Sequence, residues 1–452
     1  MSETHFDLIV IGTGPSASTV AKKSRGEGKR VAVIEEREFG GTCALRGCNP
    51  KKVYVNAADL IDRVVGGRGK LLDYQKVKID WQQLLQFKQT FTEPVIEKSE
   101  ASYRKKGIET FSGTASFAAP DTIRVGDHTL TAERVFIGAG ARPRPLDIPG
   151  EKHVVQSDDF LELPDIPSRV VFIGGGYISM EFACVVARYG SHVTVLQHGD
   201  QILNSFDTDL VSQLSEYCAK HGVKIYTQSE VTAVNQCGDQ SFEVNYKKEG
   251  KTLSVNADLV VHGAGRVPNL EGLDLQAGEV EFGDKGIKVD AFLRSVSNPR
   301  VFAAGDCADT GKPQLTPTAN EEARVVVKNL FTSNSMQQPE YDVIPRVAFT
   351  VPSIAAVGMS ETQARQSHDV DVHHEDTSTW GSVRKTGQRC AGYKILIDKK
   401  TDLILGAHLL GPASEETINL FALAMKFGLT ATNVKSTLFV FPTFASDVRK
   451  MV

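Results

Sequence analysis

The chain has 452 residues, too many for a single hydrophobic core and enough for two or three domains of ordinary size. With 51 Lys and Arg against 55 Asp and Glu, the formal charge is -4, and no basic surplus points to a nucleic-acid partner. The longest apolar region, VVFIGGGYISMEFACVVA, is broken by glycines and by Glu181 and does not read as a membrane span.

The N-terminal stretch MSETHFDLIVIG lacks a basic segment followed by a long apolar one and runs straight into an apolar strand. No signal peptide is expected, and the protein is expected to be soluble and cytoplasmic. Its seven cysteines would be thiols there, which makes any closely spaced pair a candidate for chemistry rather than for stapling.

The first predicted elements come from FDLIVIGTGPSASTVAKKSRGEGKRVAVIEE, an apolar strand, a Gly-rich turn, a helix and a second strand ending at Glu35. Gly12 and Gly14 allow a tight turn and close approach to a pyrophosphate. Ala17 permits close helix packing, and Glu35 can accept hydrogen bonds from a ribose. Next comes TCALRGCNPKK, with Cys43 and Cys48 either side of four residues. A structural zinc site needs four ligands, and no second Cys or His pair stands at matching spacing, so no metal is expected. Asn49 suits an N-cap and Pro50 a first helical residue, which predicts a helix starting immediately after Cys48. Its positive end, with Lys51 near, would favour a thiolate there.

The pattern returns in RVVFIGGGYISMEFACVVARYGSHVTVLQ, with Gly174, Gly176 and Ser179 at the three fingerprint positions. The second strand now ends at Gln197. An acid would favour NAD and an arginine NADP, and neither is present; His198 is the nearest cation. IPG at 148–150 and GAGRVPN at 263–269 bound this second unit. The first domain resumes at VFAAGDCAD, where Asp306 ends a strand and can meet a ribityl or phosphate group. From about Asn334 the texture shifts to strands such as RVAFTV and YKILID and the helix-like SEETINLFALAMKFG, a third, alpha+beta domain. The expected fold is α/β: two doubly wound nucleotide-binding domains plus an α+β dimerisation domain. Residues 1–150 and 266–335 would form the first, 151–265 the second and 336–452 the third.

In order, GGTCALRGCNPKKV, GGGYISMEFA, GAGRVPN, VFAAGD, QLTPTANEEAR and GAHLLGP resemble the flavin-dependent pyridine nucleotide-disulfide oxidoreductases, the group of glutathione reductase and dihydrolipoamide dehydrogenase. The resemblance covers essentially the whole chain. It implies FAD on the first domain, NAD(P)H on the second and a homodimer through the third. By the same resemblance Cys48 is the flavin-side thiolate and Cys43 the thiol that attacks substrate. Lys51 and Glu181 match an ion pair beside the flavin ring, Tyr177 an aromatic gate over the nicotinamide site, and Asp306 the FAD-binding aspartate. Lys52, Gly140 and Gly265 are counted with the cofactor-binding positions.

The pattern breaks at FPTFASD. Where the disulfide-reducing members carry a histidine that shuttles protons across the dimer interface, this chain has Phe441. Where they carry the acid that orients it, the chain has Ser446, with Asp447 one residue on. A positioned acid–base group contributes about 10^2- to 10^4-fold in rate. Either another group, Asp447 or a water, supplies the proton, or the substrate needs none. No further cysteine pair follows in VRKMV, so substrate is expected to meet Cys43 directly. Lys22 and Arg324 fall where glutathione reductases keep cations for substrate carboxylates. Cys184, Cys218, Cys237, Cys307 and Cys390 read as buried thiols. The expected activity is NAD(P)H-dependent reduction of a small disulfide-type substrate, with a slight lean to NADPH. The alternatives are a non-thiol acceptor, a quinone or metal ion, at the same centre, or an idle flavin-binding dimer.

Overall fold

The computed structural model describes residues 4–332 and 334–452. In it each glycine fingerprint lies between a buried parallel strand and a helix. The chain divides into two units. The first comprises Met1–Pro50, Lys88–Arg144 and Arg266–Tyr341; the second comprises Lys51–Phe87, Pro145–Gly265 and Asp342–Val452.

The first unit is built on β1 (Thr4–Ile11), followed by helix α1 (Pro15–Gly26) and β2 (Val31–Glu35). Strands β3 (Glu109–Ser112), β4 (Ala115–Ala119), β5 (Thr122–Val125) and β6 (His128–Ile137) complete a sheet ordered β3-β2-β1-β6-β5-β4, with Val301–Ala303 added in parallel to β6. Because side chains alternate along a strand, β1 feeds two cores. Ile9 and Ile11 join Ile34 and Ile137 on one face. Leu8 and Val10 join Ala17 and Val20 of α1 and Val326 of helix Thr316–Asn329 on the other. Burying each such aliphatic side chain contributes about 1.5–3 kcal/mol. Covered on both faces, the second half of β1 is apolar and buried at every residue from Leu8 to Ile11.

The second unit repeats this logic in a four-stranded parallel sheet of Val223–Tyr226, His192–Leu196, Arg169–Ile173 and Leu259–His262, in that order. Val170 and Phe172 face one core, Val171 and Ile173 another. The same unit carries a five-stranded antiparallel sheet, ordered Arg346–Ala348, Ile354–Gly358, Ile404–Leu410, Gly392–Asp398 and Val370–Asp376. Helix Ser414–Lys426 buries Ile418 and Phe421 in the core that includes Tyr393, Ile395 and Ile397. Among the described residues no helix is long and apolar enough to cross a membrane.

Candidate active site

In the first unit the turn after β1 is forced by contact. Gly12 has φ +98°, and a Cβ there would lie 2.5 Å from the Gly138 carbonyl oxygen, so only glycine fits. Gly174 repeats this at the second fingerprint, 2.6 Å from the Gly263 oxygen. Gly14 has nothing within 4 Å of its own Cβ position, which leaves room beside the start of α1 for a diphosphate. Ala17 is fully buried under this turn. Glu35, at the end of β2, accepts a hydrogen bond from Thr13 Oγ1 and another from Arg37 N at 3.1 Å.

Asp306, Arg266, Leu315 and Thr318 line a cavity of about 260 Å³. Thr318 Oγ1 is buried without a hydrogen-bond partner. Burial pushes the Asp306 carboxyl up, and Arg266 partly offsets it. A buried hydroxyl without a partner at Thr318 and the Asp306 carboxyl line one wall, and with the open diphosphate cradle at Gly14 they fit FAD, whose ribityl hydroxyls could pair with them. Gly140 adopts φ +70° with open space around it.

Beyond β2, Gly41 opens the short helix α2 (Gly41–Leu45), and its Cβ position falls 2.4 Å from Gly14 Cα. This contact holds Cys43, two residues on, next to the glycine turn. Helix α3 (Cys48–Gly67) begins at Cys48 itself, a correction to the expected start after it: Cys48 is already in the first turn, and Asn49 and Pro50 follow as helical residues. Thr316 Oγ1 donates to Cys43 Sγ at 3.3 Å and lies 3.6 Å from Cys48 Sγ. The hydrogen bond that the Cys43 thiol donates to Cys48, together with burial, pushes the Cys43 thiol well up, with Thr316 working in the opposite direction. Among the described residues no cluster of three or more His, Cys, Asp or Glu side chains is arranged to hold a metal.

In the second unit Glu181, fully buried on helix Tyr177–Tyr189, receives Lys51 Nζ at 3.0 Å and Lys52 Nζ at 2.7 Å on the same oxygen. Phe349 N donates to its other oxygen at 2.9 Å. Burial alone would raise this carboxyl, but the two ammoniums and the Phe349 amide hold it below its ordinary range. Lys51 Nζ also stands 4.4 Å from the ring centre of Tyr177, which is half-exposed at the first position of the helix. Gln197 takes the place of the fingerprint acid and turns its Oε1 back to accept from Gly175 N at 2.8 Å. His198 is exposed, Gly176 caps the helix with extended backbone, and Gly265 has φ +107°.

At the C-terminal signature Phe441 is 80% exposed. Ser446 closes a capping box: its Oγ accepts from Thr443 N at 3.1 Å, and its N–H donates to Thr443 Oγ1 at 3.1 Å. Asp447 is buried in the first turn of that helix. Lys22 packs its ammonium 4.9 Å from the Tyr103 ring centre and is lowered by burial and then by Lys106. Arg324 is paired with Glu321 at 2.6 Å. Cys184, Cys218, Cys307 and Cys390 are buried; Cys237, expected to be buried, is exposed on the hairpin strand Glu230–Gly238. Sequence reasoning missed Thr316 as a partner of the cysteines, and the only signal was its place in QLTPTANEEAR.

Residues 6–323 match the family described as pyridine nucleotide-disulphide oxidoreductase, and residues 344–452 match its dimerisation domain. The chain is 32% identical to a glutathione reductase of Burkholderia cepacia, covering 99% of this chain and 98% of that one. It is 30% identical to a mercuric reductase of Bacillus cereus, covering 99% and 71% respectively. A solved structure described as a Cu(II) complex of the HOCl-induced flavoprotein disulfide reductase RclA from Escherichia coli superposes with a TM-score of 0.88 at 26% identity, covering 100% of this chain and 99% of that one.

Proposed function

The chain belongs to the pyridine nucleotide-disulphide oxidoreductase family, and on that premise we propose that it is an NAD(P)H-dependent flavoenzyme reducing a small disulfide-type substrate through Cys43 and Cys48. The observation that carries this reading is the single Thr316 hydroxyl set against both sulfurs, in the unit that also holds the first glycine cradle. When bound, FAD would supply the electron path from nicotinamide to the cysteine pair. Gly12, Gly14, Ala17 and Glu35 would hold its adenosine diphosphate, Asp306 its ribityl chain, and Gly140 a flanking part. Gly174, Gly176, Gly265 and Tyr177 would receive the nicotinamide cofactor. The lean to NADPH rests on Gln197, whose amide brings no negative charge to a 2′-phosphate, and on His198.

The cysteine pair takes two electrons and becomes a dithiol. Cys48, at the positive end of α3, carries the thiolate on the flavin side, and Cys43 attacks the substrate sulfur. With Phe441 in place of an acid, the first thiol has to depart as its anion, so substrates with low-pKa leaving groups are favoured. A homodimer is supported by the dimerisation-domain match and by Leu438, Val440 and Phe441, which are 89%, 79% and 80% exposed. In this reading residues 1–150 and 266–335 bind FAD, 151–265 the nicotinamide cofactor and 336–452 the second copy, and the enzyme, with its cysteines as thiols, works in the cytoplasm.

A second reading, reduction of a metal ion at the same sulfurs, is favoured by the similarity to a mercuric reductase and to a flavoprotein solved with Cu(II). It needs no proton from position 441. Anaerobic titration with NADPH tests the shared centre: uptake of one hydride equivalent by the flavin and a second by the disulfide is expected, and uptake by the flavin alone would mean an idle pair. Turnover of a panel of disulfides and of Cu(II) then separates the two readings.

A further inference from the structure

We infer that Thr316 is a catalytic residue: its hydroxyl is the donor that lets negative charge move from Cys48 to Cys43, stabilising the attacking thiolate in a chain whose C-terminal signature carries Phe441 in place of a histidine. This rests on the reading of the chain as a disulfide reductase.

Only a thiolate attacks a disulfide, yet the thiol of Cys43, the proposed attacking sulfur, is pushed up by its hydrogen bond to Cys48 and by burial. The proton must leave Cys43 in every turnover. Cys48, within hydrogen-bond reach, is the acceptor. When the proton crosses from Cys43 to Cys48, the charge crosses the other way and needs a donor at its new place. Thr316 Oγ1 lies 3.3 Å from one sulfur and 3.6 Å from the other, so its single proton reaches either by rotation about one bond. The hydroxyl is well anchored: Thr316 is the first residue of a 14-residue helix, and Pro317 behind it fixes the backbone.

The step balances. From the singly protonated pair, the Cys43 proton moves to Cys48, and the hydrogen bond of Thr316 swings onto the Cys43 thiolate. That thiolate attacks one sulfur of R–S–S–R′; the Cys43–S–R bond forms, the substrate S–S bond breaks, and its electron pair leaves on R′S⁻. R′S⁻ takes the proton from Cys48, and the Cys48 thiolate then attacks Cys43, closing the protein disulfide and expelling RS⁻. Two electrons pass from the dithiol to the substrate, and the one proton ends on one of the two product thiols.

The test uses the FAD-loaded protein, reduced anaerobically with NADPH and treated with iodoacetamide, with the Cys43 and Cys48 adducts quantified by peptide mass spectrometry across pH. Thr316→Val is expected to slow Cys43 alkylation by about 10- to 100-fold, the loss of one hydrogen bond to a charged group, and to move its pH midpoint upward. Thr316→Ser is expected to stay within about threefold of wild type, because it keeps the hydroxyl. Should the Val variant not hold FAD, Thr316→Ala gives the same comparison. Equal Cys43 alkylation in wild type and the hydroxyl-less variant, or a Ser variant as slow as that variant, would overturn the inference. The underlying reading fails separately, if the wild-type enzyme turns over no disulfide, aromatic or alkyl, whatever the alkylation pattern.

Discussion

Lys51 Nζ stands 3.0 Å from Glu181 Oε2, and the carboxylate it meets is fully buried. Removing one partner of a buried ion cluster leaves the others uncompensated, which typically costs about 3–5 kcal/mol. Glu181→Gln should therefore lower the urea midpoint strongly at neutral pH. Because the folded carboxyl is held below its ordinary value of 4.5, its contribution is complete above that pH and is lost as pH falls through the lowered folded value. The gap between wild type and variant should be flat from pH 7 to 5 and should narrow only below about 4.5. A gap that stays constant down to pH 3 would contradict this account of Glu181.

The two cysteines should separate spectroscopically. Cys48→Ser should abolish the long-wavelength absorbance of the two-electron-reduced enzyme, since the flavin-side thiolate is gone. Cys43→Ser should keep that absorbance and lose disulfide turnover. Persistence of the absorbance in Cys48→Ser would reverse the assignment of the two sulfurs.

Restoring an acid at position 441 should change which substrates are accepted. Phe441→His with Ser446→Glu is expected to improve alkyl disulfides by about 10- to 10^3-fold. The second change is structurally mild, because a Glu three residues after Thr443 still closes a Thr-x-x-Glu capping box. Rates measured with glutathione disulfide before and after the double substitution check this; no improvement in a variant that keeps its FAD would mean that position 441 does not face the reacting sulfur.

Gln197→Glu should move the reductant preference toward NADH. A carboxylate can still accept the Gly175 N–H that Gln197 Oε1 takes at 2.8 Å, so the turn should survive, while its charge repels a 2′-phosphate. The KM for NADPH should rise by about 10-fold with that for NADH unchanged or lower, roughly the 1.4 kcal/mol of one charge contact. Equal KM changes for both cofactors would place Gln197 away from the ribose.

What was legible in the sequence was local or chemically distinctive. Strand, Gly-rich turn, helix and strand follow each other within thirty-odd residues, so the periodicity change at Gly12 and Gly174 exposes both nucleotide-type folds. Thr316 was not legible as a neighbour of Cys43, because 273 residues separate them and Thr-Pro reads as an ordinary helix start. Lys52 could not be seen beside Lys51 on Glu181 either. Consecutive helical residues diverge by about 100°, and only the reach of two long, flexible side chains brings both ammoniums to one oxygen. Cys237 reads by composition as a buried thiol, but hairpin strands with one solvated face decide burial by register, which the sequence around Gly238 leaves open. Ser446 looks like the loss of an acid; the structure shows that it also closes the N-terminus of the last helix.

The central claim, disulfide reduction through Cys43 with no acid at position 441, is tested most directly by wild-type kcat/KM across a series of disulfides that differ in the pKa of the leaving thiol. The account predicts a steep rise as that pKa falls, with aromatic disulfides fast and glutathione disulfide poor. A flat series in which glutathione disulfide is turned over as well as the aromatic disulfides would contradict it.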